Sequence, residues 1–255
     1  DVELKNVHFS YTGNEKDEVL HGIHLKLPAG SFTALVGPSG GGKTTLCNLI
    51  PRFYDVDSGS ILLDGKDIRD ITLASLRSNI GTVQQDVYMF SGTVRDNIAY
   101  GCPGAEKEDI IAAAKRAGAH EFIEELPEGY DTYVGERGVK LSGGQKQRLS
   151  IARAIAKHPQ IYLFDDSFSA LDYKTDVALR RALKAKTDNA TVIIVAQRIS
   201  TVLHANQILV LDEGRIVGKG THAQLMASCP EYQEIARSQL SQKELALDTL
   251  NTEKE

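Results

Sequence analysis

The segment Gly37 to Thr44, GPSGGGKT, restricts the fold of this chain more than any other run of residues. It fits the pattern G-x-x-x-x-G-K-[ST], in which glycines let backbone N–H groups turn inward around phosphate groups. The apolar run Phe32 to Val36 stands before it, and Lys43 to Phe53 has the composition of a helix behind it. Strand, loop and helix in that order open a nucleotide-binding α/β fold, and a chance glycine-rich turn would lack both flanks. In this context Lys43 is placed to reach β and γ phosphates, and the Thr44 hydroxyl to ligate Mg²⁺.

The rest of the chain supplies the layers such a loop needs. Gly81 to Gln84, Ile161 to Phe164 and Thr191 to Ala196 are short apolar runs separated by helical segments, which predicts a parallel central sheet. Val2 to Tyr11 and Ile23 to Leu27 alternate apolar with polar residues, predicting an antiparallel β layer that turns at Pro28-Ala29-Gly30. Ile61 to Leu63 before Asp64-Gly65, and Ile208 to Leu211 before Glu213-Gly214, read as hairpin strands. From about 91 to 157 the spacing of Ile110, Ile111 and Ala114, then of Phe122, Ile123 and Leu126, predicts a mostly helical insertion. The expectation is an α/β chain: a P-loop NTPase core with a mostly parallel central sheet, an antiparallel β subdomain and a helical subdomain. Residues 1–237 make up that domain, and 238–255 a polar C-terminal tail.

Composition excludes several other classes. Of the 255 residues 42% are hydrophobic and 25% charged, values of a folded globular domain. A net charge of -5 offers no general surface for nucleic acid. Cys47, Cys102 and Cys229 lie far apart without zinc or disulfide spacing, as thiols in a reducing compartment would. The longest apolar stretches, such as Thr191 to Ala196, fall far short of the roughly 20 residues of a membrane span. The start at Asp1, without Met or an apolar leader, is expected of a domain excised from a longer chain.

Two further motifs bear on chemistry. Ile161 to Asp165 is a buried run ending in an acid, which would bring Asp165 beside the metal. Leu141 to Gln145 reads LSGGQ, with Ser142 suited to cap a helix that continues through Leu149, Ala152 and Ile155 to a stop at His158-Pro159. Following GPSGGGKT and preceding Asp165 by 20 residues (165 minus 145), LSGGQ resembles the signature of ABC ATPases, and the resemblance covers nearly the whole chain.

The resemblance implies that Gly37, Pro38, Ser39, Gly40, Gly41, Gly42, Lys43, Thr44 and Thr45 hold ATP while Tyr11 stacks on adenine. It implies that Ser142, Gly143, Gly144 and Gln145, at the start of a helical signature subdomain, bind the γ-phosphate of ATP held by a partner domain. Thr44, Gln85 and Asp165 would hold Mg²⁺, and Gln85, in TVQQD, would also sense the membrane domain. Gln84 stands where such sequences often have Pro. Ser169-Ala170-Leu171-Asp172 fits the loop by which two ATPase domains touch. Thr132 to Gly138, TYVGERG, looks like the segment with which exporters contact their intracellular helices. An ATPase that powers export at the cytoplasmic face of a membrane, with transmembrane domains as partners, is what these residues imply.

Two positions depart from the family pattern. The family's Glu after the metal-binding Asp, which orients or deprotonates the attacking water, is Asp166 here; its switch histidine is Gln197, in AQR. Asp is a methylene shorter than Glu, and a carboxamide cannot become a cation, so the expectation is a site that binds ATP and hydrolyses it slowly. Catalytic roles then fall to Asp166, Gln197, Gln85 and Lys43. With LSGGQ intact, the chain is expected to complete a competent site on a different subunit, in a head-to-tail heterodimer. The competing readings are an importer ATPase, a soluble ABC ATPase acting on ribosomes or DNA, and an ATP-gated clamp with little hydrolysis.

Overall fold

The computed structural model describes residues 1–135, 139–167 and 190–239. The chain divides into two compact units, one of residues 1–76 with 191–255 and one of residues 77–190.

The first unit opens with β1 (Val2–Ser10) and β2 (Glu18–Leu27), paired antiparallel with Val2 opposite Leu27. Val2, Leu4, Val7 and Phe9 are all buried, although Leu4 to Val7 is an odd step that would put them on opposite faces. Asn6 resolves the conflict: it takes φ 47, the register with β2 shifts there, and the bulge returns the apolar side chains to one face. Next come β3 (Phe32–Val36), α1 (Lys43–Leu49), β4 (Ser58–Leu63) and β5 (Lys66–Asp67). β1, β2, β4 and β5 form an antiparallel sheet in the order β2-β1-β4-β5.

Helix α1 is shorter than the expected 43–53. Pro51 has no N–H to continue the ladder, and Arg52 takes φ 55. The Phe53 N–H then bonds the Asn48 carbonyl at 3.1 Å and the Arg52 N–H the Leu49 carbonyl at 3.0 Å, a Schellman ending. A further short helix, α2 (Leu73–Ser78), leads out of this stretch.

The second unit contains β6 (Ile80–Val83), β7 (Gly92–Thr93), α3 (Val94–Ala99), α4 (Lys107–Arg116), α5 (His120–Glu124), β8 (Tyr133–Val134), α6 (Gly143–Ala156) and β9 (Ile161–Asp165). β6 and β9 are parallel, Ile80 beside Ile161 and Val83 beside Phe164. Leu149, Ala152 and Ile155 of α6 are buried, and the helix packs on α3 and α4. The two-residue pair β7–β8 interrupts the helical stretch; each partner is too short to carry a readable period.

The chain returns to the first unit with β10 (Thr191–Val195), β11 (Gln207–Asp212), β12 (Arg215–Gly220), α7 (His222–Ser228) and α8 (Pro230–Gln239). β3 lies between β10 and β11 and is parallel to both; β12 runs antiparallel to β11. All five residues of β10 are buried, as a strand covered on both faces requires. The two hairpins sit where the sequence put them, with Asp64-Gly65 at φ 49 and 82 and Glu213-Gly214 at φ 43 and 70, the signs of type I′ turns. The fold is thus mixed α/β, with mostly parallel strands, an antiparallel sheet and a helical unit. No helix among the described residues is long and apolar enough to cross a membrane. Cys47 and Cys229 are buried, and none of the three cysteines is in a disulfide.

Candidate functional site

In the first unit, β3 ends in a loop whose shape is dictated by its neighbours. Gly37 has φ 143, and a Cβ there would lie 1.9 Å from the Leu211 carbonyl oxygen of β11. Gly42 has φ 97, and its Cβ would meet Leu20 at 2.7 Å; Gly40, at φ 80, faces open space. The loop closes on itself through a Gly41 N–H to Pro38 carbonyl bond of 3.2 Å, and Gly214 of the second hairpin donates to the Gly41 carbonyl at 3.3 Å. Lys43 Nζ folds back over this ring, donating to the carbonyls of Gly37 at 2.9 Å and Pro38 at 2.6 Å. A ring of backbone that side chains cannot enter, with an ammonium held over it, fits a chain of phosphates.

Pro38, Ser39 and Thr44 are exposed and Thr45 is buried. Tyr11 is brought to the same place: its hydroxyl is 3.0 Å from Thr45 Oγ1 while the residue as a whole is 51% exposed. Tyr54 holds the ring edge-on, centroids 5.2 Å apart, and Phe9 does so at 4.9 Å. The strand end before Tyr11 is fixed by Asp57, whose carboxylate accepts from the Ser10 N–H at 2.6 Å. Tyr54 and Asp57 were not singled out in the sequence, where an aromatic and an acid after a helix carry no distinguishing pattern. Gln197 is exposed on the loop that follows β10.

In the second unit, Asp165 ends β9 and Asp166 follows it, both buried. Asp166 takes φ 47, a conformation in which Asp and Asn are enriched among non-glycine residues. Ser167, fully buried, donates to the Val83 carbonyl at 2.8 Å and so ties the end of β9 to the end of β6. Gln85 is exposed two residues beyond β6, so paired parallel strands deliver Gln85, Asp165 and Asp166 from neighbouring ends. Ser167 too escaped the sequence reading, because serine after two acids has no pattern of its own.

The chain beyond Gln85 is fastened to the signature helix. The buried Asn97 receives the Phe90 N–H at 2.9 Å and donates to its carbonyl at 2.8 Å. Arg153 of α6 donates to Asn97 and to the Tyr88 carbonyl, and its guanidinium lies 4.9 Å from the Phe90 ring centroid. Burial pulls the Arg153 pKa below the usual arginine value. At the other end of α6, Ser142 and Gln145 cap each other: Ser142 Oγ accepts from the Gln145 N–H at 3.2 Å, and Gln145 Oε1 from the Ser142 N–H at 2.9 Å. Ser142 and Gly143 are exposed, Gly144 and Gln145 half-buried.

Thr44, Gln85 and Asp165 offer hydroxyl, amide and carboxylate oxygens, the hard donors that suit Mg²⁺. Among the described residues no group of three His, Cys, Asp or Glu side chains could hold a metal ion. Of the exporter-like segment, Tyr133 and Val134 form β8 and residues 136–138 lie outside the described residues. Ser169 to Asp172 and residues 240–255 lie outside them as well.

The profile of the family described as ABC transporter matches residues 20–169. A Bacillus subtilis (strain 168) protein that carries the name multidrug export ATP-binding/permease protein YgaD is 51% identical over 234 residues, 92% of this chain and 40% of its own length. A Staphylococcus aureus (strain NCTC 8325) relative with a name of the same form is 50% identical, again over 92% of this chain and 40% of its own. Among solved structures, a bacterial Atm1-family ABC exporter with ATP bound matches with a TM-score of 0.90 and 46% identity, covering 94% of this chain and 42% of the other. The chain therefore spans about two fifths of the length of the relatives it matches.

Proposed function

The chain belongs to the ABC transporter family, and from that premise we propose that it is the ATP-binding and ATP-hydrolysing part of an exporter, working at the cytoplasmic face of a membrane with transmembrane domains as partners. The observation that carries the nucleotide reading is the loop after β3: glycines wedged against the Leu211 carbonyl, with Lys43 Nζ bonded to the Gly37 and Pro38 carbonyls. On binding, Lys43 exchanges these two carbonyls for phosphate oxygens, and the ring of Tyr11 receives adenine. Mg²⁺, held by Thr44, Gln85 and Asp165, would neutralise charge on the β- and γ-phosphate oxygens.

Asp166 orients the attacking water and accepts its proton, and Gln197 donates a hydrogen bond toward the γ-phosphate. Both do so less well than Glu and His would, so the chain's own site turns over slowly. Ser142, whose oxygen already accepts from Gln145, keeps its hydroxyl proton for a phosphate, and with Gly143 and Gly144 it closes over ATP held by a partner ATPase domain. A heterodimer uses both features: the intact cap completes a competent catalytic site on the other subunit. The names of the relatives and the residues Thr132 to Gly135 of the exporter-like segment support export. The same two substitutions favour, as a second reading, a clamp that ATP closes with little hydrolysis.

Nucleotide titration and phosphate release test this. Mg·ATP is expected to bind the parent chain, with affinity falling at least about tenfold in Lys43→Ala, which loses a charge-assisted contact. Turnover is expected to rise in Asp166→Glu, in Gln197→His and most in the double variant, by up to about a hundredfold, the scale on which a 1 Å misplacement acts. Folded protein that ignores millimolar Mg·ATP would sink the nucleotide reading. A double variant no faster than the parent would sink the slow-site reading.

A further inference from the structure

Gln239, in the last turn of α8, reaches back to the backbone that follows β10. Its Nε2 donates to the Gln197 carbonyl at 2.7 Å, and its Oε1 accepts from the Ile199 N–H at 2.8 Å. One planar amide thus does for residues 197 and 199 what a neighbouring strand would do, satisfying a carbonyl and the N–H two residues on. Gln197 and Arg198 are exposed, whereas Ile199 is buried and begins a single 3₁₀ turn to Thr201. The side chain of Gln239 therefore grips the main chain on both sides of Arg198, directly after the Gln197 side chain.

The helix that supplies this grip is itself anchored. Tyr232 and Ala236 are fully buried, and with Gln239 they follow at intervals of four and three residues, one face of a helix. The Tyr232 hydroxyl bonds His222 Nδ1 of α7 at 2.7 Å. The position of α8 is set by this packing, and the Gln239 side chain passes it to the 197–199 backbone.

We propose that Gln239 is a positioning residue for Gln197: by fixing the path of residues 197–199 it sets where the Gln197 side chain approaches the terminal phosphate. This rests on the reading of Gln197 as a γ-phosphate contact. The bonds go to main-chain atoms, so the device serves whichever side chain stands at 197.

The test uses the full 255-residue chain, with Gln239→Leu, which keeps the bulk and loses both bonds, and Gln239→Glu, which keeps the acceptor for Ile199 and loses the donor to Gln197. Amide exchange at Ile199 reads the grip, and ATP turnover against ATP concentration reads its effect. In Gln239→Leu the Ile199 amide is expected to exchange at least about tenfold faster, with kcat about tenfold lower and KM within about twofold of the parent. Gln239→Glu is expected to keep Ile199 protected and to show an intermediate kcat. Unchanged Ile199 protection in Gln239→Leu, or faster exchange with kcat intact, would overturn the proposal. Gln197→Ala separates the two levels. If it is impaired while Gln239→Leu is not, only this inference falls; if it turns over like the parent, the γ-phosphate reading falls and takes the inference with it.

Discussion

Replacing Gly37 by Ala is the sharpest test of how the loop after β3 is held. The new Cβ would start 1.9 Å from the Leu211 oxygen and must retreat about 1.4 Å to reach the ~3.3 Å at which carbon packs on a carbonyl. That retreat pushes the end of β11 away from β3 and strains the Gly214 to Gly41 bond. Overpacking of this kind costs about 1–3 kcal/mol, and a non-glycine residue held at φ 143 costs about 1–3 kcal/mol more, giving roughly 4 kcal/mol. Gly40→Ala is the control: its φ is 80, but nothing lies within 4 Å of the added Cβ, so it bears only the backbone term of about 1 kcal/mol. At about 2–4 °C per kcal/mol for a chain of this size, thermal unfolding should fall by about 8–16 °C in Gly37→Ala and about 2–4 °C in Gly40→Ala. Equal shifts in the two variants would refute the claim that β11 shapes the loop.

Alkaline unfolding should report Tyr130, whose hydroxyl lies 2.9 Å from His120 Nδ1 and whose pKa burial raises from 10.0 to about 12. The neutral phenol is favoured in the native state, so its contribution is complete below pH 10 and is lost as pH climbs toward about 12; Tyr130→Phe should flatten that decline in a pH series of unfolding midpoints. Gln145→Ala removes half of the capping box and should lower stability by about 1 kcal/mol in urea titration, with no change if the box does not form in solution. Ser167→Ala unties β9 from β6 at the two acids and should cost about 1 kcal/mol of stability and lower turnover together; loss of stability alone would show that the bond does not position Asp166. Asp166→Glu should lose about 0.5–1 kcal/mol of stability even as turnover rises, because Asp tolerates φ 47 better than Glu, and calorimetry that finds no loss would count against that backbone reading.

What the sequence made legible was what local rules decide. β3 is bounded by residues read directly from its apolar run, and both hairpins by Asp-Gly and Glu-Gly turns, in which the glycine at the second positive-φ position is the readable signal. The cap of α6 follows from serine ahead of two glycines and a glutamine. The end of α1 is likewise local and was readable in Pro51, which cannot continue the ladder and is followed by a Schellman closure at Arg52. Elements decided by long-range contact were not legible. The apolar face of β1 survives an odd step only because Asn6 bulges against β2. Tyr54, Asp57, Ser167 and Gln239 act through bonds or packing to residues distant in the chain, and Gln239 falls where the sequence read only a polar tail.

The loop also shows why its motif fixes some glycines and leaves others free. A sequence reading assigns all four to one purpose, the close approach of backbone to phosphate. The structure separates two constraints, a left-handed backbone and a collision that forbids a Cβ. Gly37 and Gly42, the positions the pattern demands, face both, though unequally: φ 143 with the Leu211 backbone oxygen at 1.9 Å, and φ 97 with the tip of the Leu20 side chain at 2.7 Å, which yields more readily than backbone. Gly40 faces only the first, with open space around it. Gly41 faces only the second, its Cβ 2.9 Å from the same Leu211 oxygen. A residue under one constraint can be replaced at the expense of a small strain or a small shift, so those positions can vary; a residue under both has no such escape. Half of what the pattern encodes is therefore the packing of one hairpin and one strand against the loop, a requirement of the fold that precedes any nucleotide.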